Sequence, residues 1–270
     1  MQLRLCISHV QVNIESDLDD FISKARLLWG SCVREWVPTR DHWHYEVKHE
    51  RGEYQIKNAW KILARTASTP DLLPTFERVL YQAIRYWHRE ATLLHAACLR
   101  IEGRPVVLLG ESGAGKSTLA LTALSRGARY WSDELCVSNG REVWGIPRAI
   151  QFDPTPPGQA LPPWLQGLDL SYTLRSREGQ TLCIPLRSPP LSQLPMATDK
   201  LADALLVVPR RGTCQAMRPM SPLAALEQVQ RGALSCARSG LGGFVGAGRC
   251  WSLEWDCPRT AMDRIYELVG

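Results

Sequence analysis

Residues 110–117 read Gly-Glu-Ser-Gly-Ala-Gly-Lys-Ser, the Gly-x-x-x-x-Gly-Lys-Ser spacing of a phosphate-binding loop. Gly110, Gly113 and Gly115 permit backbone paths and close approaches that a side chain would block. The consecutive amides of Glu111, Ser112, Gly113, Ala114, Gly115, Lys116, Ser117 and Thr118 can then converge on an anion, helped by the positive end of the helix that follows. In this pattern Lys116, read as part of an exposed loop, reaches the β- and γ-phosphates of ATP, and the Ser117 hydroxyl ligates Mg2+.

A second group of residues completes the chemistry. Seventeen residues past Lys116, beyond Gly127, stands Ala128-Arg129-Tyr130-Trp131-Ser132-Asp133-Glu134. That spacing leaves room for one helix and one short strand. It places both carboxylates at the carboxyl edge of a sheet, beside the phosphates. An acid there can hold magnesium or accept a proton from an attacking hydroxyl. Asp133 is the expected base and Glu134 the expected metal ligand, although sequence alone permits the roles to be exchanged and either carboxylate to touch the metal. There is no Asn-Lys-x-Asp guanine-reading motif and no Leu-Ser-Gly-Gly-Gln transporter signature, and Ser239–Gly243 is only a glycine-rich turn. A small kinase fits better than a switch, a transporter or a motor.

The elements that position these residues follow from hydropathy. Val106–Leu109 is a short apolar run, as expected of a strand buried on both faces, and Ser117–Leu124 opens a helix directly after the loop. Ahead of them, Leu73, Phe76, Leu80, Ala83, Ile84 and Trp87 recur at helical spacing. Thr69-Pro70-Asp71 supplies a cap, an early proline and an early acid, so this helix is read as core packing. Tyr45–Val47 and Tyr54–Ile56 alternate with polar residues and predict a hairpin turning at Arg51-Gly52. His42, His44 and His49 lie nearby, without the cysteine or carboxylate pattern of a metal site. Residues 154–195 hold nine of the 18 prolines, which predicts an irregular excursion that covers the site. Ala204–Val208 reads as a buried strand, and Pro222–Gln230 and Arg259–Val269 read as helices. The organisation expected is a small α+β region over residues 1–88 and a phosphate-loop domain over 89–270.

Composition narrows the class. Hydrophobic residues make up 45% of 270 and charged residues 22%, ordinary for a globular protein. No apolar run reaches the ~18–20 residues that cross a bilayer, and the first residues lack a signal-peptide layout, so a cytoplasmic protein without membrane partners is expected. The nine cysteines are odd in number and lack C-x-x-C spacing, which predicts reduced packing thiols. The net charge of +5 comes from 26 arginines and six lysines that are scattered rather than clustered, so nucleic acid is not an expected partner. Assembly with like chains stays open.

The same residues resemble a known family. Leu94-His95-Ala96-Ala97, the stretch from Val106 to Leu121, and Arg126 through Glu134 are similar to HPr kinase/phosphorylase and its shorter bacterial relatives. Gly145-Ile146-Pro147-Arg148-Ala149-Ile150 resembles their Pro-Arg-Pro-Ile/Leu segment, departing at Ala149. Leu206–Arg210 and Pro219–Leu223 fit their carboxyl-terminal half, so the resemblance covers about residues 70–235. It implies an α/β P-loop kinase core of the HPr-kinase/phosphoenolpyruvate-carboxykinase type, with a small β-containing amino-terminal region. It also implies transfer of the ATP γ-phosphate to a serine hydroxyl of a peptide or protein, some relatives being linked to tailoring of ribosomally made peptides. His95 aligns with a histidine near the active site, and Glu134 stands where the parent has a second aspartate. Arg148 and Arg210 become candidate phosphate clamps. The parent's glycine-rich signature for reverse phosphorolysis is not evident, and that activity is not expected. The alternatives are a kinase of small free alcohols and a non-catalytic nucleotide-dependent scaffold. The set Lys116, Ser117 and Asp133 argues against the scaffold.

Overall fold

The computed structural model describes residues 1–8, 10–33, 42–152, 172–176, 179–184, 198–235, 245 and 249–270. The expected Ser239–Gly243 turn lies outside them. At the amino terminus, β1 (Gln2–Ile7) and β2 (Val10–Ser16) form an antiparallel pair, followed by α1 (Asp19–Leu28) and a 3-10 turn at Gly30–Cys32. Then come β3 (His42–Glu50), β4 (Glu53–Asn58), β5 (Lys61–Thr66) and α2 (Thr69–Trp87). The five strands pair in sequence order, with β3 running parallel to β2. β3 and β4 are the anticipated hairpin, with Val47 opposite Ile56. Its turn residues Arg51 and Gly52 both have positive φ (54° and 81°), the backbone that matches strand twist in a two-residue turn. Tyr45, Val47 and Ile56 face inward with Phe21, Phe76, Leu80 and Ile84 of the two helices.

Helix α2 starts where its periodicity predicts, with one correction. Ser68 holds the cap position and makes no side-chain cap bond, whereas the Thr69 hydroxyl lies 2.6 Å from that of Tyr54. His42, His44 and His49 are exposed, and among the described residues no cluster of three or more His, Cys, Asp or Glu could hold a metal by itself. Cys6, Cys32, Cys98, Cys136, Cys214, Cys250 and Cys257 form no disulfide among the described residues. No helix among the described residues is long and apolar enough to cross a membrane.

The second half opens with β6 (Thr92–Ile101), β7 (Arg104–Leu109) and α3 (Lys116–Leu124). Short strands follow: β8 (Arg129–Ser132), β9 (Leu135–Ser138), β10 (Glu142–Gly145), β11 (Ile150–Phe152), β12 (Tyr172–Ser176), β13 (Gly179–Ile184) and β14 (Asp199–Lys200). The chain finishes with β15 (Leu205–Arg211), β16 (Ala216–Pro219), α4 (Pro222–Gly232), β17 (Ala233–Ser235), β18 (Arg249–Trp255) and α5 (Pro258–Val269). A ten-stranded sheet runs β14-β10-β9-β6-β7-β15-β18-β16, with β8 and β17 also paired to β6. β7, β15 and β18 are mutually parallel, so their carboxyl ends open on one edge. The other pairings in this sheet are antiparallel.

Beyond its polar first turn, helix α3 is buried on every side from Leu119 to Leu124, as a helix with no polar face must be. Ala97, Val106 and Leu108 of the sheet pack with it, as do Ala261, Met262, Ile265 and Val269 of α5. The core of the amino-terminal sheet does not stop at α2. It continues into Leu93, Leu135, Val137, Ile146 and Ala149 of the second half.

The expectation for residues 154–195 needs correcting in part. β12 and β13 form an antiparallel pair inside it, and β13 also pairs with β11. Proline density marks the flanks and not this hairpin. The expected lid over the site otherwise falls outside the described residues.

Candidate active site

Residues 110–115 connect β7 to α3 at the edge where the three parallel strands end. Gly113 and Gly115 take φ of +82° and +88°, which glycine alone adopts freely. Gly115 is doubly constrained. A Cβ there would lie 2.1 Å from the Trp255 ring, and the Trp255 indole N–H donates to the Ala114 carbonyl at 3.3 Å. The end of β18 therefore serves as the seat of the loop. The first helical bond of α3 runs from the Leu119 N–H to the Gly115 carbonyl. The amides ahead of Leu119 are left without an intrahelical acceptor, which leaves them available to an anion.

Lys116 departs from the picture of an exposed loop residue. It is only 6% exposed, and its ammonium donates to the carbonyls of Gly110 (2.7 Å) and Glu111 (3.1 Å). Burial lowers its pKa, while Glu134 and Asp133 pull it back up. Ser117 and Thr118 are half-buried in the first turn of α3.

The two acids arrive from β8, which pairs with β6. Strand β8 ends at Ser132, whose hydroxyl accepts from the amides of Glu134 (3.2 Å) and Leu135 (3.0 Å) and turns the chain back into β9. Asp133 and Glu134 sit in that turn. The Ser117 hydroxyl lies 3.5 Å from one Asp133 carboxylate oxygen, and the Tyr130 hydroxyl donates to the other at 2.9 Å. His95, on β6, places Nε2 3.6 Å from one oxygen of Glu134, and Arg148 places a guanidinium nitrogen 3.3 Å from the other. The structure thus brings His95, Lys116, Ser117, Asp133, Glu134 and Arg148 together.

Environment separates the two carboxylates. Burial drives Asp133 up to about 6, against the opposing pull of Arg148 and the Tyr130 hydrogen bond. Burial also pushes Glu134 upward, but His95, Arg148 and Lys116 together outweigh it and hold it at about 2. One acid is poised near neutrality and the other stays ionised.

Two candidate phosphate clamps part company. Arg148 is 3% exposed and directed at carboxylates: it donates to Glu77 at 2.6 Å and to the Gln151 side-chain oxygen at 3.0 Å, besides Glu134. It is correctly placed at the site, but its contacts are those of a brace for acids and not of a phosphate clamp. Arg210 is exposed at the end of β15 and lines a cavity of about 240 Å3 with Gly110–Ala114, Arg211, Gln228 and Arg231. A second cavity of about 180 Å3 shares Val208, Arg210 and Gln228 with it and extends to Arg218 and Glu254. Glu77, Tyr130, Gln151, Arg231 and Trp255 were not singled out from sequence. For Tyr130 a signal existed, since it lies three residues before Asp133. The others come from elements remote in the chain.

The donor set suits magnesium. A serine hydroxyl beside a carboxylate supplies hard oxygen ligands, and such a site leaves remaining positions to phosphate oxygens and water. No family model and no curated protein matches the chain. Among solved structures, the Hpr(Ser) kinase/phosphatase from Coxiella burnetii aligns with 66% of this chain and 99% of that one. The identity is 14% and the TM-score 0.30. A likeness that slight carries no argument about function.

Proposed function

We propose that the chain is an ATP-dependent phosphotransferase that moves the γ-phosphate to a hydroxyl group, that of a peptide or protein serine by the resemblance noted in its sequence. The observation that carries the reading is the position of Asp133: a buried carboxylate, poised near neutrality, within 3.5 Å of the hydroxyl that opens the helix of a phosphate-binding loop. A nucleotide-dependent scaffold has no use for a base there.

The roles follow from the contacts. Lys116 exchanges the carbonyls of Gly110 and Glu111 for phosphate oxygens and stabilises the charge that gathers on them. Asp133 accepts the proton of the attacking hydroxyl, oriented by the Tyr130 hydroxyl. Divergent pKa values in adjacent acids mark such a division of labour, so Glu134 is the metal-side carboxylate, held ionised between His95 and Arg148. Ser117 and Glu134 would hold magnesium, which when bound neutralises charge on the β- and γ-phosphate oxygens. The Ser117 hydroxyl, 3.5 Å from Asp133, lets that carboxylate reach the metal as well. The base role falls to Asp133 because a base must be able to take up a proton. The cavity that Arg210, Arg211 and Arg231 line together with Gly110–Ala114 of the loop suits the negative charge of a bound nucleotide.

The test is phosphate transfer from ATP to candidate peptides, read by mass spectrometry as the gain of one phosphoryl group on a hydroxyl residue. Hydrolysis without acceptor should be slow. Transfer to free serine or a sugar with equal efficiency would replace the peptide by a small alcohol, and no transfer by a protein that binds ATP would sink the kinase reading.

A further inference from the structure

We infer that Glu77, on the amino-terminal helix α2, is a positioning residue of the active site that acts through Arg148 on Glu134. The inference rests on the phosphotransferase reading. It starts from the guanidinium of Arg148, which bridges two carboxylates from opposite halves of the chain: Nη1 to Glu77 at 2.6 Å and Nη2 to Glu134 at 3.3 Å. Both ends of the Glu77–Arg148 pair are buried, with side-chain exposures of 11% and 4%. A buried ion pair is a poor device for stability, because desolvation offsets most of the attraction and an apolar pair of similar volume does as well. Its placement points to a different use.

The backbone supports the same conclusion. The Tyr130 hydroxyl lies between the Arg148 carbonyl (3.0 Å) and Asp133 (2.9 Å) and shares its single proton between them, so the segment bearing Arg148 touches the surroundings of both acids. The segment bearing Arg148 is gripped by the amino-terminal unit. The Ala149 amide donates to the Leu28 carbonyl at 2.6 Å, and the Ser31 hydroxyl donates to the Pro147 carbonyl at 3.2 Å. Without the charge of Glu77, Arg148 has only the site's own carboxylates to neutralise and settles on Glu134. That competes with a metal for the same oxygens. Glu77 therefore holds the guanidinium at a set distance, keeping Glu134 oriented but available.

The experiment compares wild type with Glu77→Gln, Glu77→Asp, Arg148→Met and the Glu77→Gln/Arg148→Met double variant. It measures kcat, the KM for ATP, and Mn2+ affinity in the presence of a non-hydrolysable ATP analogue. Glu77→Gln should lower kcat and weaken Mn2+ binding by ~10-fold each, with the KM for ATP within about 2-fold, as expected for coupling between contacting residues. Glu77→Asp, which keeps the charge, should recover part of both losses. The double variant should be no worse than Arg148→Met, because the effect passes through that arginine. A Glu77→Gln protein that melts earlier but keeps kcat and Mn2+ affinity overturns the inference, as do additive losses in the double variant. Should Glu77→Gln fail to fold, Glu77→Asp carries the comparison: a shortened reach must lower kcat and Mn2+ affinity, and no change in either overturns the inference. Wild type that binds nucleotide without transferring phosphate sinks the kinase reading alone, and Mn2+ affinity still decides the role of Glu77. Wild type that binds no nucleotide overturns both.

Discussion

Asp133 and Glu134 share a peptide bond and sit in opposite environments. Asp133 has exchanged water for a tyrosine hydroxyl and a buried wall, while Glu134 lies between a histidine and an arginine. The two acids contribute pH dependences of opposite sign: Glu134, held at about 2, adds stability as the pH rises from about 2 to 4.5, and above that interval Asp133 sets the trend. Its folded value of about 6 lies above the ordinary 3.8, so the folded state retains a proton that the unfolded chain releases. The burial penalty is therefore absent below about pH 4, grows through the interval, and is complete above about pH 6. Asp133→Asn should melt several degrees higher than wild type at pH 7.5, relieving at most about 3 kcal/mol. The advantage should shrink as the pH approaches 4. Turnover of the same variant should fall ~10²–10⁴-fold with little change in ATP affinity, because asparagine cannot take up the proton. Melting curves across pH and a nucleotide titration check both halves, and wild-type turnover would make the acid structural. Glu134→Gln should instead raise the magnesium requirement. Lys116→Ala should lose ~10²-fold or more in turnover. It also loosens the loop it now ties to Gly110 and Glu111, so a limited-proteolysis pattern altered within residues 110–116 is expected alongside weaker nucleotide binding.

The loop between β7 and α3 and the strand β18 depend on each other. Gly115→Ala must displace the Trp255 ring or the loop itself, and its φ of +88° is strained for alanine regardless. A loss of ~1–3 kcal/mol in stability, together with loss of nucleotide binding, is expected. Gly113→Ala meets open space around its Cβ and carries only the backbone strain, about 1–2 kcal/mol. If the two variants bind ATP and melt alike, the Trp255 seat has no role. The same contrast explains which elements were legible in sequence. The loop, α3 and the Asp133-Glu134 turn are local patterns, set by glycine spacing, an apolar run and a strand of four residues. Trp255 and Glu77 act across 140 and 57 residues of chain, on Gly115 and Glu134 respectively, and no local pattern carries that information. Glu77 was further masked by its own helix, where it stands beside Arg78 and between Asp71 and Arg85 and reads as one of several solvated charges. In residues 154–195 proline counting overlooked the β12–β13 hairpin.

At the scale of the whole molecule, the amino-terminal sheet and part of the ten-stranded sheet share one of the three clusters that make up the core. The amino-terminal unit reads as an appendage in sequence, because the phosphate loop and its acids all lie beyond residue 88. Its core nevertheless encloses Leu135 and Val137 of β9 and Ile146 and Ala149 beside Arg148, each at most 1% exposed. Removing residues 1–88 would uncover these side chains, strip Arg148 of Glu77, and leave the Ala149 amide and the Pro147 carbonyl without their partners in residues 28–32. An isolated buried arginine facing the site is worse than a missing contact, since breaking such a pair typically costs ~3–5 kcal/mol. Domains of this size are stable by only about 5–15 kcal/mol in total. A fragment of residues 89–270 should therefore bind a hydrophobic dye, melt without a cooperative transition and show no ATP turnover, even though it contains every residue of the phosphate loop together with His95, Asp133, Glu134 and Arg148. A compact, cooperatively melting fragment with wild-type turnover would show that the amino-terminal unit is dispensable for building the site, and that its contacts with the Pro147–Ala149 segment are incidental.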